Sequence, residues 1–302
     1  MKTTKQRAPK FKRKPEQLGG LRLQERDIGI IRLVYDYRFL NSDQIKLLAD
    51  GSEQGISRRL KKLFHHGFLD RPRSQIVYPL AGTQKMIYAL GDTGADLLAE
   101  KFGIDRGKIK WNEKNREVKD RHIQHTLMIS NFRVCLERAL DTLPNTHLLF
   151  WQKENREELR DYAYIQDSQG RKRQVAIVPD GFFGMKDTKP KPKMYFFLEA
   201  DQSTMTNGRF LNKMRAYWNW GMSEKGHTRK FGIKAFRVLA IAKTEQRKEN
   251  LRRITKNADD ARTGSFMFWF TSQQRYNTQK PESILDPIWQ TAKDDKWHSI
   301  LE

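Results

Sequence analysis

From Arg26 to Leu90 the chain follows an order of apolar spacing and turn signals that few folds can satisfy. Ile28, Ile31, Val34 and Tyr35 recur at helical spacing, and Arg38-Phe39-Leu40 closes that segment. Asn41 or Ser42 stands where a helix cap belongs, ahead of a short helix carrying Ile45, Leu47 and Leu48. Asp50-Gly51 signals a turn, and a third helix runs from about Glu53 to His66 with Ile56, Leu60, Leu63 and Phe64 inward. Gly67-Phe68-Leu69-Asp70-Arg71 and a loop holding Pro72, Pro79 and Gly82 precede a return strand at Met86–Leu90. Helix, short helix, glycine turn, helix and then strand-loop-strand predict a winged helix-turn-helix over residues 21–102. Its last helix is marked by Ala95, Leu97, Leu98 and Phe102.

The third helix decides what such a unit touches. Gln54, Ser57, Arg58 and Lys61 lie where a recognition helix meets base edges, and Arg59 and Lys62 fall on flanks suited to phosphates. Arg73 and Lys85 flank the wing loop and are candidates for backbone or minor-groove contacts. A basic helix face alone is equally well a solvated face, and a winged helix also binds protein. The whole chain, however, has 58 Lys and Arg against 36 Asp and Glu, a formal net charge of +22. That excess costs stability by self-repulsion, and double-stranded DNA is the partner that best explains it. A second copy in a homodimer is a further partner the pattern leaves open.

Residues 1–20 are basic, with few apolar anchors, and end in Gly19-Gly20; they read as a flexible arm, free in solvent or tracking phosphates. Residues 103–119 are charged and poorly periodic, which predicts a linker. Residues 120–302 then form a second, mixed domain, giving an α+β protein overall. A long amphipathic helix is expected from about His122 to Leu143. Strands are expected at Leu148–Lys153, Ala163–Ile165, Val175–Pro179, Tyr195–Glu199 and Phe236–Ile241, with a helix from about Arg209 to Trp220 between the last two. Cys135, the only cysteine, excludes an intramolecular disulfide and any multi-cysteine zinc site, and its place in an apolar stripe predicts burial. No run approaches the ~20 apolar residues of a membrane span. The N-terminus lacks the apolar core of a signal peptide, so a cytoplasmic or nucleoid-associated protein is expected.

Several motifs resemble the replication-relaxation family of plasmids and other mobile elements. They are Asp27-x-x-Ile30-Ile31-x-Leu33, Arg38-Phe39-Leu40, Gln44-Ile45, Arg58-Arg59-Leu60-x-x-Leu63-x-x-x-Gly67-Phe68-Leu69 and Tyr88-Ala89-Leu90-Gly91-x-x-Gly94. His122-x-x-His125-x-Leu127, Pro179-Asp180-Gly181 and Phe197-Leu198-Glu199-x-Asp201 continue the likeness, which covers roughly residues 21–290. Some members are similar to mobilisation relaxases built on a restriction-endonuclease-like core, and the likeness implies other replication or mobilisation proteins as partners.

The order of elements after residue 120 also resembles the PD-(D/E)xK nuclease superfamily, whose acids bind a divalent metal that polarises the scissile phosphate and activates water. The resemblance implies Asp180, Glu199 and Asp201 as metal ligands and catalytic acids, with Mg²⁺ or Mn²⁺ as the ion. Glu199 and Asp201 are two apart, so a regular strand turns both to one face, where paired carboxylates need a cation, a basic partner or a proton. The place of the superfamily's lysine is held by Asp201. Lys213 on the following helix, with Tyr217 one turn later, is the candidate substitute, and Arg209 the second. Two readings stay open: a metal-dependent nickase, or a non-catalytic fold in which the acids are structural. Tyr217 stays open as a nucleophile. His122 and His125, spaced i,i+3, are either metal ligands or helix-start or interface residues.

Overall fold

The computed structural model describes residues 10–76, 85–109, 118–153, 157–166, 169–187 and 193–302. The chain is a mixed α and β protein that divides into two compact units, Met1–Ser130 and Asn131–Glu302.

In the first unit, α1 (Glu25–Tyr37) buries Ile28, Ile30, Ile31 and Val34. Strand β1 (Leu40–Asn41) leads straight into α2 (Ser42–Leu48), and Asn41 caps it. The Asn41 carboxamide oxygen accepts from the Gln44 amide at 2.9 Å, while Gln44 accepts from the Asn41 amide at 2.9 Å. This reciprocal box satisfies donors that a helix start leaves unpaired. The turn that follows needs Gly51, whose φ is 118° and where a Cβ would meet the Arg26 guanidinium at 2.3 Å. Helix α3 (Glu53–His65) starts on the Ser52 hydroxyl and buries Ile56, Leu60, Leu63 and Phe64. Strands β2 (Leu69–Asp70) and β3 (Ile87–Leu90) join β1 in an antiparallel sheet of order β1-β3-β2, and α4 (Asp92–Phe102) packs behind. The expected wing loop at residues 77–84, with Pro79 and Gly82, lies outside the described residues.

Two expectations of loose chain are corrected here. Residues 10–18 are tied to the end of α3 instead of extending as an arm. The Lys14 amide donates to His65 Nδ1 at 2.9 Å, Arg13 Nε donates to the Phe64 carbonyl at 3.2 Å, and Arg71 donates to the Lys10 carbonyl at 2.7 Å. Residues 1–9, the rest of that expected arm, lie outside the described residues. The linker expected at 103–119 begins instead as a folded turn, with Arg106 bonded to Asp96 at 2.6 Å and Ile109 buried; residues 110–117 lie outside the described residues. The division between the units falls inside the long helix α5 (Asp120–Leu140). Its first half belongs to the first unit. There Ile123 joins Phe39, Ile87 and Ala89 in one buried cluster, and the Ser130 hydroxyl donates to the Phe39 carbonyl at 3.0 Å.

The second unit is built on a seven-stranded sheet of order β12-β11-β10-β9-β8-β7-β4. Strands β4 (Thr146–Lys153), β7 (Gly181–Asp187) and β8 (Met194–Asp201) are antiparallel neighbours. Helix α6 (Asn207–Met222) carries the chain to β9 (Arg237–Ala242), parallel to β8, by way of the short α7 (Gly226–Phe231). Helix α8 (Glu245–Thr255) carries it on to β10 (Phe268–Ser272), parallel to β9. Strands β11 (Trp289–Thr291) and β12 (Trp297–His298) finish that edge. Between β4 and β7 the chain makes a separate hairpin of β5 (Asp161–Gln166) and β6 (Lys172–Ile177). Alternation along the strands sends Phe183 to Phe132 of α5 on one face, and Phe182, Phe197, Val238 and Phe270 to Phe210, Met214 and Trp220 of α6 on the other. Cys135 is buried in α5, and its thiol is pushed up to about 12 by burial. Among the described residues no helix is long and apolar enough to cross a membrane.

Candidate functional site

Asp180 precedes β7 by one residue, and Glu199 lies near the end of the adjoining β8. The β7–β8 pairing sets Gly181 opposite Leu198, so the two acids meet at one end of the sheet. The Asp180 amide donates to the Leu198 carbonyl at 2.9 Å, and one Asp180 carboxylate oxygen accepts from the Ala200 amide at 2.7 Å. Glu199 turns toward α6, where Lys213 and Tyr217 sit one turn apart and take one of its oxygens each. The Tyr217 hydroxyl donates to Oε1 at 2.7 Å, and the Lys213 ammonium pairs with Oε2. Lys213 also donates to the Val178 carbonyl at 3.0 Å, which ties the site to the chain entering Asp180.

The electrostatics follow from that packing. Burial pushes the Glu199 carboxyl up to about 7, with Asp180 adding to the rise and Lys213 and Tyr217 opposing it. Burial together with Glu199 drives the Tyr217 phenol well above its ordinary value, so Tyr217 is a buried protonated donor and not an activated nucleophile. The Lys213 ammonium pairs with Glu199, and Asp180 lies close enough to add to the rise of the Glu199 carboxyl.

Asp201 does not join this cluster, which corrects its expected place as a third acid. It shares a strand face with Glu199, as the spacing requires, but Arg247 of α8 clamps both its oxygens, at 2.8 and 3.0 Å, and the Ser203 amide adds a bond at 2.8 Å. Among the described residues no three His, Cys, Asp or Glu side chains converge as a metal-ligand set. Arg209 lies exposed on the first turn of α6 and makes no bond to the carboxylates, leaving Lys213 as the cation of the site. His122 and His125 lie on the first-unit half of α5, half-buried and apart from the acids' own unit.

In the first unit, Gln54, Ser57 and Arg58 are exposed along α3, and Lys61 and Lys62 are half-exposed beside them. Arg58, Lys61 and Lys62 form no ion pair with any described residue; the Ser57 hydroxyl bonds back to the Glu53 carbonyl at 2.8 Å. Arg59 departs from its expected phosphate role. Its guanidinium reaches inward and binds both oxygens of Asp27, a fully buried carboxylate, with the Nε bond at 2.7 Å. Lys85 is exposed and paired with Asp43 at 2.7 Å, while Arg73 is exposed on a short 3-10 turn.

A family model described as replication-relaxation matches residues 31–232, well over half of the chain. The chain belongs to the replication-relaxation family. The matched stretch takes in α3 of the first unit and Asp180, Glu199, Lys213 and Tyr217 of the second. No curated protein and no solved structure matches the chain. Several residues that shape this family member were invisible to sequence reasoning. Arg247 lies 46 positions from the acid it clamps, and Asp27 lies 32 positions from Arg59. Lys213 entered only as a substitute for the lysine of the nuclease resemblance; the structure sets it and Tyr217, one turn on, against Glu199.

Proposed function

We propose that this chain binds duplex DNA of a plasmid or mobile element through its first unit and nicks it through its second, in the replication or relaxation of that DNA. The observation that carries the reading is the meeting of Asp180, Glu199 and Lys213 at one end of the sheet. Two acids on adjoining strands and a lysine are the parts of a PD-(D/E)xK site, with the lysine supplied from α6 instead of from β8. The order α5, β4, β7, β8, α6, β9 supports the same reading, as does family membership. The first unit is read as a winged helix-turn-helix, because α2, the Gly51 turn and α3 precede an antiparallel sheet whose β3 returns from the wing position.

Asp180 and Glu199 would hold Mg²⁺ or Mn²⁺, which supplies polarisation of the scissile phosphate and a water nucleophile. The protein's own groups do the rest. Lys213 offers an ammonium to the phosphate once Glu199 turns to a cation, and Tyr217 keeps Glu199 oriented. Arg58, Lys61 and Lys62 hold the duplex, with Gln54 and Ser57 toward the base edges. A second reading, a DNA-binding adaptor with no cutting step, is favoured by one observation: Lys213 and Tyr217 already satisfy both Glu199 oxygens.

Nicking of supercoiled DNA carrying the element's own origin separates the two. The expected outcome is relaxation with Mg²⁺ or Mn²⁺, lost in Glu199→Ala while duplex affinity is kept. Because Glu199 must shed its proton to hold a cation, and its carboxyl sits at about 7 instead of its ordinary 4.5, nicking should rise with pH and level off above about 7. DNA that stays supercoiled with either metal while remaining bound would sink the nickase reading and leave the adaptor.

A further inference from the structure

The β5–β6 hairpin is inserted between two strands of the main sheet and is not part of it. Its inner face is a conventional apolar one: Ala163, Ile165 and Ile177 are buried in the α6 core with Trp220. Its outer face is not. Tyr162 and Tyr164, two apart on β5, point outward at 40% and 51% exposure. Opposite them on β6 stand Ala176 and Gln174, and Gln166 faces Lys172, all on the same side of the ribbon.

Exposed tyrosines on a loose hairpin would carry little meaning, but this one is fixed. The Trp220 indole donates to Asp161 at 2.8 Å, and the Asn219 carboxamide donates to the Tyr164 carbonyl at 2.7 Å. The Tyr164 amide in turn donates to Glu224 at 3.1 Å. Basic side chains flank the rings. Arg160 lies over the Tyr162 ring at 5.4 Å, Lys172 is exposed on the same face, and the one acid among the strand residues, Asp161, is taken by Trp220 and by Arg229 at 3.7 Å. A cleft of about 1170 Å³ runs beside Tyr164 and Gln166, with Arg215, Arg229 and Arg262 in its walls. Its acids Asp259 and Glu224 are engaged by backbone amides, leaving Asp260.

Position gives the face its purpose. Strand β6 ends at Ile177 and runs through Val178 and Pro179 into Asp180, while Lys213 grips the Val178 carbonyl. We propose that the outer face of the β5–β6 hairpin is a stacking platform for single-stranded DNA, which leads a strand to the Asp180–Glu199 site; the second clause rests on the nickase reading. Bases stack on Tyr162 and Tyr164, and Lys172 and Arg160 neutralise phosphates. Ring stacking suits a strand whose bases are unpaired, because a duplex hides their faces.

Anisotropy of a fluorescent oligothymidine with the full chain, in EDTA, tests the platform. Replacing both rings, Tyr162→Ala with Tyr164→Ala, is expected to weaken single-strand binding by about tenfold or more. Binding to the origin duplex should not change, because α3 carries it. The pair Tyr162→Phe with Tyr164→Phe should keep single-strand affinity, since the ring and not the hydroxyl is used. The platform is overturned if wild-type protein does not bind the oligonucleotide, or if the alanine pair binds it within twofold of wild type. It is equally overturned if duplex affinity falls by the same factor. Nicking is scored separately. Ring-dependent single-strand binding without nicking keeps the platform and removes only the nickase reading, whereas nicking with ring-independent binding removes only the platform.

Discussion

Arg58 and Arg59 adjoin on α3, yet one faces solvent with no ion-pair partner among the described residues and the other holds a carboxylate that has no contact with water. Asp27 also accepts from the Gln24 amide at 2.7 Å, so the same carboxylate caps α1 and locks it to α3. Removing the guanidinium leaves a buried charge unpaired, and such losses run to about 3 kcal/mol or more. Arg59→Ala should therefore lower the urea midpoint of the protein sharply. Arg59→Lys should recover little, because an ammonium cannot span both oxygens as the planar fork does. Arg58→Ala should leave the midpoint alone and relax sequence preference in duplex binding. Equal midpoints for wild type and Arg59→Ala would show that the pair contributes nothing. The sequence marks both arginines as basic residues on a basic helix. It does not mark which one has a carboxylate waiting 32 positions away, because burial of Asp27 depends on how α1 packs and not on its neighbours in the chain. Asp201 is the same case: its spacing from Glu199 gave the correct strand face, but its partner Arg247 comes from a different helix.

At the scale of elements, what is periodic is legible and what is not periodic is hidden. The stripes through α1 and α3 read directly, since a helix's buried face is written in its own spacing. The one-turn interval between Lys213 and Tyr217 likewise brings both to Glu199. The residues at 103–109 misread as linker because their charge outweighs their apolar content, although Arg106 bonds to Asp96 and to the Ile109 carbonyl, and Ile109 is buried. Gln75 is the least legible element-forming residue. Its carboxamide stands in for a strand partner at the start of β3, donating to the Ile87 carbonyl at 3.0 Å and accepting from the Ile87 amide at 2.8 Å. No propensity or spacing announces a side chain doing a backbone's work. Gln75→Ala leaves both Ile87 groups unpaired in a buried place, at a cost of about 1–3 kcal/mol. Hydrogen exchange at the Ile87 amide should speed up markedly in that variant, while exchange in α1 follows only the change in global stability. Unchanged protection at Ile87 would mean the carboxamide is dispensable.

For the whole molecule the instructive residues are those of α5, because the sequence places a domain start at residue 120 and the packing places a unit boundary at Ser130. A helix reads as one object in sequence, and its amphipathic spacing does not say that its two halves serve different cores. Ile123 is fully buried with Phe39, Ile87 and Ala89, and Leu127 packs on the same cluster. The Ser130 hydroxyl satisfies the Phe39 carbonyl at 3.0 Å, so the last polar group of that cluster also depends on α5. A fragment ending at residue 119 strips all three, and losing the burial of two large aliphatic side chains alone weakens a unit by about 3 kcal/mol. A fragment ending near residue 135 keeps them. The longer fragment should unfold cooperatively at a clearly higher urea midpoint than the shorter and retain duplex binding through α3. The shorter should bind the same duplex only to the extent that it stays folded, and a sample that melts without a cooperative transition is consistent with the loss. If the two fragments unfold at the same midpoint, the first half of α5 is not part of the first unit's core, and the boundary belongs where the charge pattern alone would put it, between residues 103 and 119.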